Sequence, residues 1–393
     1  MTELTAIEAV LQDATDGGRV AGVVTLAADP DGVIYSGAFG ERMLGGGVPM
    51  TLDTVFLIHS MTKAITATAA MQLVEAGKLA LDEPLGRFAP ALAEPKVLQG
   101  FDADGNPVLR PARGVITLRH LMTHTAGFSY DFVNADVGRY QQVTGTPSAR
   151  TGRLASLTQP LVFDPGARWE YGINIDWIGR IVEAISGMDL NTHMTRHIFA
   201  PLGMTDTGYM PTDEQAARGA GSHQRGPDGS LIPAPFAKPS FPEFFPGGGG
   251  LVSTGPDYMM FLRMLLGGGA LGGARLLQPE TVALMGQNHI GTLNVLPIRS
   301  ADPVLAHDCE LFPGMVKKWG LSFLINTERA ATGRSAGSLA WAGLRNTYFW
   351  LDPSKRVVGV LLTQSLPFAD PIVLALLDAF ETEIYRLVGA RRG

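Results

Sequence analysis

"FLIHSMTKAITATAAMQLVEAGKL", residues 56–79, reads as the end of a strand running into a helix. Met61, Ile65, Ala69 and Leu73 recur at helical spacing, and Gly77 stands where a left-handed C-cap belongs. Ser60 is a good N-cap, and a capping box would place Glu or Gln three residues later. The chain places Lys63 there instead. A cation in the first turn faces the positive end of the helix dipole, which costs roughly 0.3–1 kcal/mol. The spacing also has a chemical reading. Residues three apart share a helix face, so the lysine amine can reach the serine oxygen. The helix end and the apolar neighbours disfavour the ammonium form. A lysine that is neutral part of the time can take the serine proton and leave a nucleophile. The chain has 16 serines and 7 lysines. An SxxK pair is expected by chance about 0.3 times, and it occurs once. This stretch alone leaves both readings open: a lysine reaching into solvent, or an activated serine.

Moving outward, residues 1–18 read as an amphipathic helix with Leu4, Ile7, Val10 and Leu11 on one face. Two strand-like runs follow, "VAGVVTLAAD" (20–29) and "GVIYSGAFG" (32–40), joined by a Pro-Asp-Gly turn. The chain end is again β-like: "WGLSFLIN" (319–326), "GSLAWAG" (337–343), "NTYFWLD" (346–352) and "RVVGVLLTQ" (356–364), with "DPSK" as the turn between the last two. A final helix covers 370–388. Between the two ends, residues 81 to about 310 show helical runs, many Gly and Pro, and little strand character. "IDWIGRIVEAISG" and "DYMMFLRMLLGGG" are the clear helices there. Strands at both termini with helices between them predict an α+β fold with one sheet built from both ends. The expected division is a sheet domain of 1–80 with 310–393, and a mainly helical insertion of 81–309.

Hydrophobic residues make up 46% of the 393, and charged residues 17%. A net charge of −6 argues against nucleic acid as a partner. Cys309 is the single cysteine, which excludes an intrachain disulfide and a CxxC motif. The N-terminus lacks the basic start and apolar run of a signal peptide, and no run of 18 apolar residues suggests a membrane span. The expectation is a soluble cytoplasmic protein; a chain trimmed of a leader would read the same.

Three other signals carry less. "GRSAG" (333–337) matches the GxSxG nucleophile elbow, but in that fold the acid and histidine follow the serine. All eight histidines precede Ser335. A small-residue turn before a strand is the expected role. His120/His124 and His193/His197 have metal-chelating i, i+4 spacing without the glutamate of HExxH, and structural roles are expected. "PGGGGLVSTG" is a Gly-rich loop without the lysine of a phosphate loop.

A proton relay needs a third group. In "FDPGARWEYGINIDWIG" Tyr171 follows a Pro-Gly turn and precedes a helix that Asn174 could cap. The positive end of a helix and a neighbouring lysine would favour the ionised phenol. By position alone it is one tyrosine of eight, and a packed aromatic is the simpler reading.

Together, "SMTK", "LMTHTAGF", "WEYGINIDWIG", "PGGGGLVSTGPDYMMF" and "WAGLRNTYFWLDP", in this order over nearly the whole chain, resemble the serine esterases related to class C β-lactamases, the family VIII carboxylesterases. The resemblance implies an antiparallel sheet flanked by helices, with the site between the sheet and a helical domain. It implies Ser60 as the acylated nucleophile, with Lys63 and Tyr171 as the base and acid system. It also implies the backbone N–H groups of Ser60 and Leu344 as the oxyanion hole. Two departures stand out. The lactamase Tyr-x-Asn has Ile173 at its third position, with Asn174 one place late. No KTG, KSG or SDN occurs, and Trp341-Ala342-Gly343 takes the substrate-facing strand position. Both point away from efficient β-lactamase activity. The reading is a cofactor-free hydrolase of small neutral carboxylic esters. The alternatives are acyl transfer to an alcohol, hydrolysis of an amide, peptide or β-lactam, or a catalytically silent binding protein. Phe128, Tyr130, Phe132, Phe241, Phe244 and Phe245 are candidates for either a cleft lining or a core.

Overall fold

The computed structural model describes residues 3–391. Its centre is a seven-stranded sheet: β1 (Gly22–Ala28), β2 (Val33–Gly40), β3 (Lys317–Trp319), β4 (Leu324–Asn326), β5 (Leu339–Gly343), β6 (Thr347–Asp352) and β7 (Val357–Leu362), in the order β3-β4-β5-β6-β7-β1-β2. Every pairing is antiparallel. β1, with β2 on its outer side, therefore closes against the last strand, far away in the chain (Val24 opposite Leu362).

The alternation of side chains divides the core in two. Val24, Leu26, Trp341, Phe349, Val358, Val360 and Leu362 face one way and join the larger core. Val23, Ala27, Ala340, Ala342, Tyr348, Trp350 and Leu361 face the other way. That back face is covered by two terminal helices, α1 (Glu3–Asp16) and α5 (Pro371–Ala390), through Ile7, Leu11, Val373, Phe380 and Ile384. Val10 packs at the margin, while the Leu4 side chain lies outside the described residues. On the front lie α2 (Thr62–Glu75), α3 (Asn174–Ser186) and α4 (Gly255–Leu266). Nearly every residue of α2 from Thr62 to Met71 is buried, as suits a helix enclosed on all sides. Its end follows the expectation: Gly77 takes φ +67° and the Lys78 N–H returns to the Leu73 carbonyl at 2.9 Å.

Three local expectations differ from the structure. "WGLSFLIN" is two short strands, because Gly320 and Ser322 (φ +77°) fold the chain back and the Gly320 N–H donates to the Phe323 carbonyl at 2.8 Å. The middle of the chain contains more strand than expected, including a hairpin of Lys96–Phe101 with Pro107–Pro111 around an Asp-rich turn. Its exposed Val108 and Leu109 leave no clean in-and-out pattern to read. Asn174 is the first residue of α3 and caps nothing; its amide is buried and bonds His124. No helix among the described residues is long and apolar enough to cross a membrane.

Candidate active site

Ser60 lies in a single 3₁₀ turn, His59–Met61, that leads into α2. Contrary to the sequence expectation it is not an N-cap: Ile58 holds that position for the turn and Met61 for α2, because the turn carries Ser60 inside the helical run. Lys63, on the first turn of α2, points back along the helix face and donates from Nζ to Ser60 Oγ at 2.9 Å. It is only 1% exposed, and two further acceptors hold it: Tyr130 OH at 3.1 Å and the Gly248 carbonyl at 2.5 Å. Among the described residues no carboxylate pairs with it. The Tyr171 hydroxyl donates to Ser60 Oγ at 2.7 Å. Tyr171 in turn accepts from the Trp341 indole N–H at 3.3 Å, and its ring centroid lies 4.8 Å from the ammonium nitrogen of Lys63. Serine, lysine and tyrosine, 111 residues apart in sequence, thus share one oxygen within the reach required for proton transfer.

Each support has a local cause. The loop at 246–250 must pass so close to α2 and α3 that side chains do not fit. A Cβ on Gly247 would meet the Ile175 carbonyl at 2.4 Å, and one on Gly248 would meet both Asp176 Oδ1 and Tyr130 OH at 3.0 Å. This approach lets the Gly248 carbonyl take the lysine, while the Gly248 N–H donates to Asp176 Oδ1 at 2.7 Å. Burial pushes the Asp176 carboxyl up to about 6, against the opposing pull of Lys63 and the Gly248 N–H. Burial, and then Asp176 and Tyr171, hold the Tyr130 phenol well above its ordinary value, so it stays neutral. His124, which the sequence offers as half of a metal pair, is fully buried against Tyr171 and Trp319, with ring centroids 4.9 and 5.3 Å away. Burial and then Lys63 hold it well below its usual value, so it is a neutral imidazole. Its Nδ1 meets the Asn174 amide at 3.0 Å. No group of three or more His, Cys, Asp or Glu that could hold a metal occurs among the described residues.

Trp341, Ala342, Gly343 and Leu344 line a cavity of about 290 Å³ with Ser60, His59, Tyr130, Phe132, Tyr171 and Phe241. The Trp341 ring stands 5.0 Å from Tyr171. Of the other candidate aromatics, Phe128 packs on Trp177 and Phe245 on Tyr209, while Phe244 is buried. Arg150 is the guanidinium of the cleft lining, and it faces Asp131 at 3.6 Å. Ser335 is elsewhere, in the turn before β5. Its N–H donates to Asp352 at 2.9 Å and its carbonyl accepts from Asn326 and Ser338. The parts not singled out as site residues from sequence are Asp176, Gly248 and the polar role of Tyr130. Four consecutive glycines ahead of a helix were the available signal for a backbone pressed against something.

The sequence pattern of the Beta-lactamase family matches residues 7–380. The chain belongs to that family. Among its curated relatives, a lovastatin esterase of Penicillium rubens is 34% identical over 98% of this chain and 100% of its own. A monacolin J acid methylbutanoyltransferase of Aspergillus terreus is 34% identical over 96% and 95%. In structure, this beta-lactamase-fold chain is similar to unliganded simvastatin synthase (LovD) from Aspergillus terreus, with a TM-score of 0.85 at 32% identity, covering 98% and 99% of the two chains. It is also similar to EstCE1, a hydrolase with promiscuous acyltransferase activity, with a TM-score of 0.75 at 25% identity over 98% of both chains. Named esterases and acyltransferases therefore surround it within a family of acyl-transferring folds.

Proposed function

We propose that the protein is a serine esterase that cleaves small neutral carboxylic esters through an acyl intermediate on Ser60. The observation that carries this reading is the pair of contacts on Ser60 Oγ, 2.9 Å from Lys63 Nζ and 2.7 Å from Tyr171 OH, at the wall of an apolar cleft. One of these partners takes the hydroxyl proton as Ser60 attacks the ester carbonyl. The tetrahedral oxyanion is received by the N–H groups of Ser60 and Leu344, and the proton then passes to the leaving alkoxide. Water, deprotonated by the same pair, attacks the acyl carbonyl; the acyl–Oγ bond breaks, the proton passes to Ser60 Oγ, and the acid leaves. Tyr130 and the Gly248 carbonyl keep Lys63 aimed at the serine. Behind this scheme we place a division of the chain into a sheet domain (1–80 with 310–393) and a helical insertion (81–309).

A second reading has specific support. Acyltransferases among the relatives suggest that an alcohol can replace water in the second half-reaction. Nitrophenyl esters of increasing acyl length, run with and without an added primary alcohol and beside a chromogenic cephalosporin, separate the possibilities. Acid as the main product with alcohol present, and little cephalosporin turnover, supports the esterase. Ester as the main product assigns acyl transfer. Cephalosporin turnover matching the esters would contradict both.

A further inference from the structure

We infer that His59 and Arg345 form a clamp that sets the spacing of the two oxyanion amides, making them positioning residues for the reaction at Ser60. The inference rests on the proposal that Ser60 is acylated and that the Ser60 and Leu344 amides receive the oxyanion. His59 immediately precedes the first amide and Arg345 immediately follows the second. The Arg345 Nε–H donates to His59 Nε2 at 3.1 Å, joining segments 286 residues apart in the chain.

Three observations set this contact apart from ordinary packing. First, His59 adopts φ +44°, a left-handed conformation that a side-chain-bearing residue rarely takes. Such strain persists where the surroundings over-determine it, and it gathers at functional sites. Second, Arg345 is a cation that meets no carboxylate among the described residues. Burial holds its guanidinium below its ordinary value, and its Nη1 is buried with no partner among the described residues. A local rule broken without a packing gain marks a residue kept for another purpose. Third, the two segments already touch through their backbones. A Cβ on Gly343 would meet the Ile58 carbonyl at 2.3 Å, and Thr347 Oγ1 reaches that carbonyl at 3.4 Å. The backbone contact sets how closely they approach. The His59–Arg345 bond fixes the rotation of the turn about that contact, and so where the Ser60 and Leu344 N–H groups point. The bond requires a neutral imidazole. Burial, then Arg345 and Lys63, hold His59 down to about 3, so it remains an acceptor throughout the working range.

His59→Gly separates strain from clamp, because glycine accepts φ +44° without penalty but removes the hydrogen bond. His59→Asn tolerates the backbone and keeps an acceptor. Arg345→Met removes the donor from the other side. Each is assayed on a nitrophenyl butyrate ester, with active sites counted by fluorophosphonate titration, and its Tm recorded. Losing an oxyanion donor outright costs about 10²–10³ in kcat, and a misaimed donor costs less. The expected result is a fall in kcat per titrated site of about 10–100-fold for His59→Gly and Arg345→Met. KM should change within about twofold, the double variant should be no worse than the poorer single, and His59→Asn should recover part of the loss. His59→Gly at full kcat per site, or losses that multiply in the double variant, overturns the clamp while leaving the acyl-serine reading in place. Ser60→Ala, assayed alongside, tests that reading separately: full activity there overturns both.

Discussion

Two serine motifs of this chain each carry a buried cation, and the fold treats them in opposite ways. In "GRSAG" the cation is Arg334, 4% exposed. It is tied through Nε at 2.9 Å and through a second N–H to Glu381, itself 2% exposed on α5. The neighbouring Ser335 contributes its backbone, holding the turn together through Asp352, Asn326 and Ser338. In "SMTK" the cation is Lys63, equally deep, and its partners are two hydroxyls and a carbonyl rather than an ion. A buried charge kept for structure is neutralised by a fixed opposite charge. Lys63 has no such counter-charge among the described residues, and one of the two hydroxyls it meets is the serine oxygen. The difference separates the motif proposed to react from the GxSxG match more sharply than either motif does alone.

Substitution at the two serines should give the widest separation. Ser60→Ala is expected to remove essentially all ester cleavage, whereas Ser335→Ala should leave kcat within about twofold, since its hydroxyl has no part in the relay proposed here. Lys63→Ala and Tyr171→Phe should each lower kcat by about 10²–10⁴, and the double variant by far less than the product of the two, because they act on one oxygen. Steady-state kinetics on a single nitrophenyl ester checks all five variants; a Tyr171→Phe enzyme within threefold of wild type would remove the phenol from the scheme.

The reverse pattern is expected for the paired cation. Glu381→Ala leaves Arg334 buried without its counter-charge, which should cost about 3–5 kcal/mol of stability, with kcat per folded molecule unchanged. Denaturant unfolding beside an active-site titration tests this. A stable Glu381→Ala protein with impaired turnover would erase the contrast between the two motifs.

Asp176 tests whether the front site conceals its own counter-charge. Its carboxyl stands at about 6 when folded, against an ordinary 3.8. The folded state thus holds the proton more tightly than the unfolded chain. The resulting stability is fully present below pH ~4 and is lost as pH rises through ~6, by about 3 kcal/mol in total. Asp257 also stands at about 6, so the wild type carries both slopes. Buried histidines held below their ordinary value, His59 and His193 among them, pull the other way, so the readout is a difference: the unfolding free energy of Asp176→Asn should fall less, or rise more, between pH 4 and 7 than that of the wild type. An unchanged slope would mean that Asp176 is ionised as an ion-pair partner of Lys63.

The smallest effect is expected at Trp341. Its ring offers apolar surface and one N–H, already directed at Tyr171, with no charge to meet a substrate carboxylate. The wild type should favour a neutral ester over its carboxylate-bearing analogue in kcat/KM, and Trp341→Lys should move that ratio toward the anion. An unmoved ratio would show that this strand does not set the preference.

The sheet was legible in the sequence because its strands are continuous apolar and aromatic runs bounded by Pro, Gly and Asp turns. The turn within "WGLSFLIN" was not, because a left-handed serine leaves no compositional mark. The Ser60–Lys63 contact could be read because both residues share one helix face. Tyr171 could be singled out only with help from resemblance, since its distance from Ser60 is a property of the tertiary fold. Asp176, Gly248 and Arg345 escaped for the same reason: each acts through a neighbour far away in sequence.

Which serine becomes acylated separates the two motifs most directly. Peptide mass spectrometry after treatment with a fluorophosphonate measures this directly, in wild type and in Lys63→Ala. One adduct on the peptide containing Ser60, strongly slowed in Lys63→Ala, is the predicted result. An adduct on the Ser335 peptide, or labelling of Ser60 at an unchanged rate without the lysine, would contradict it.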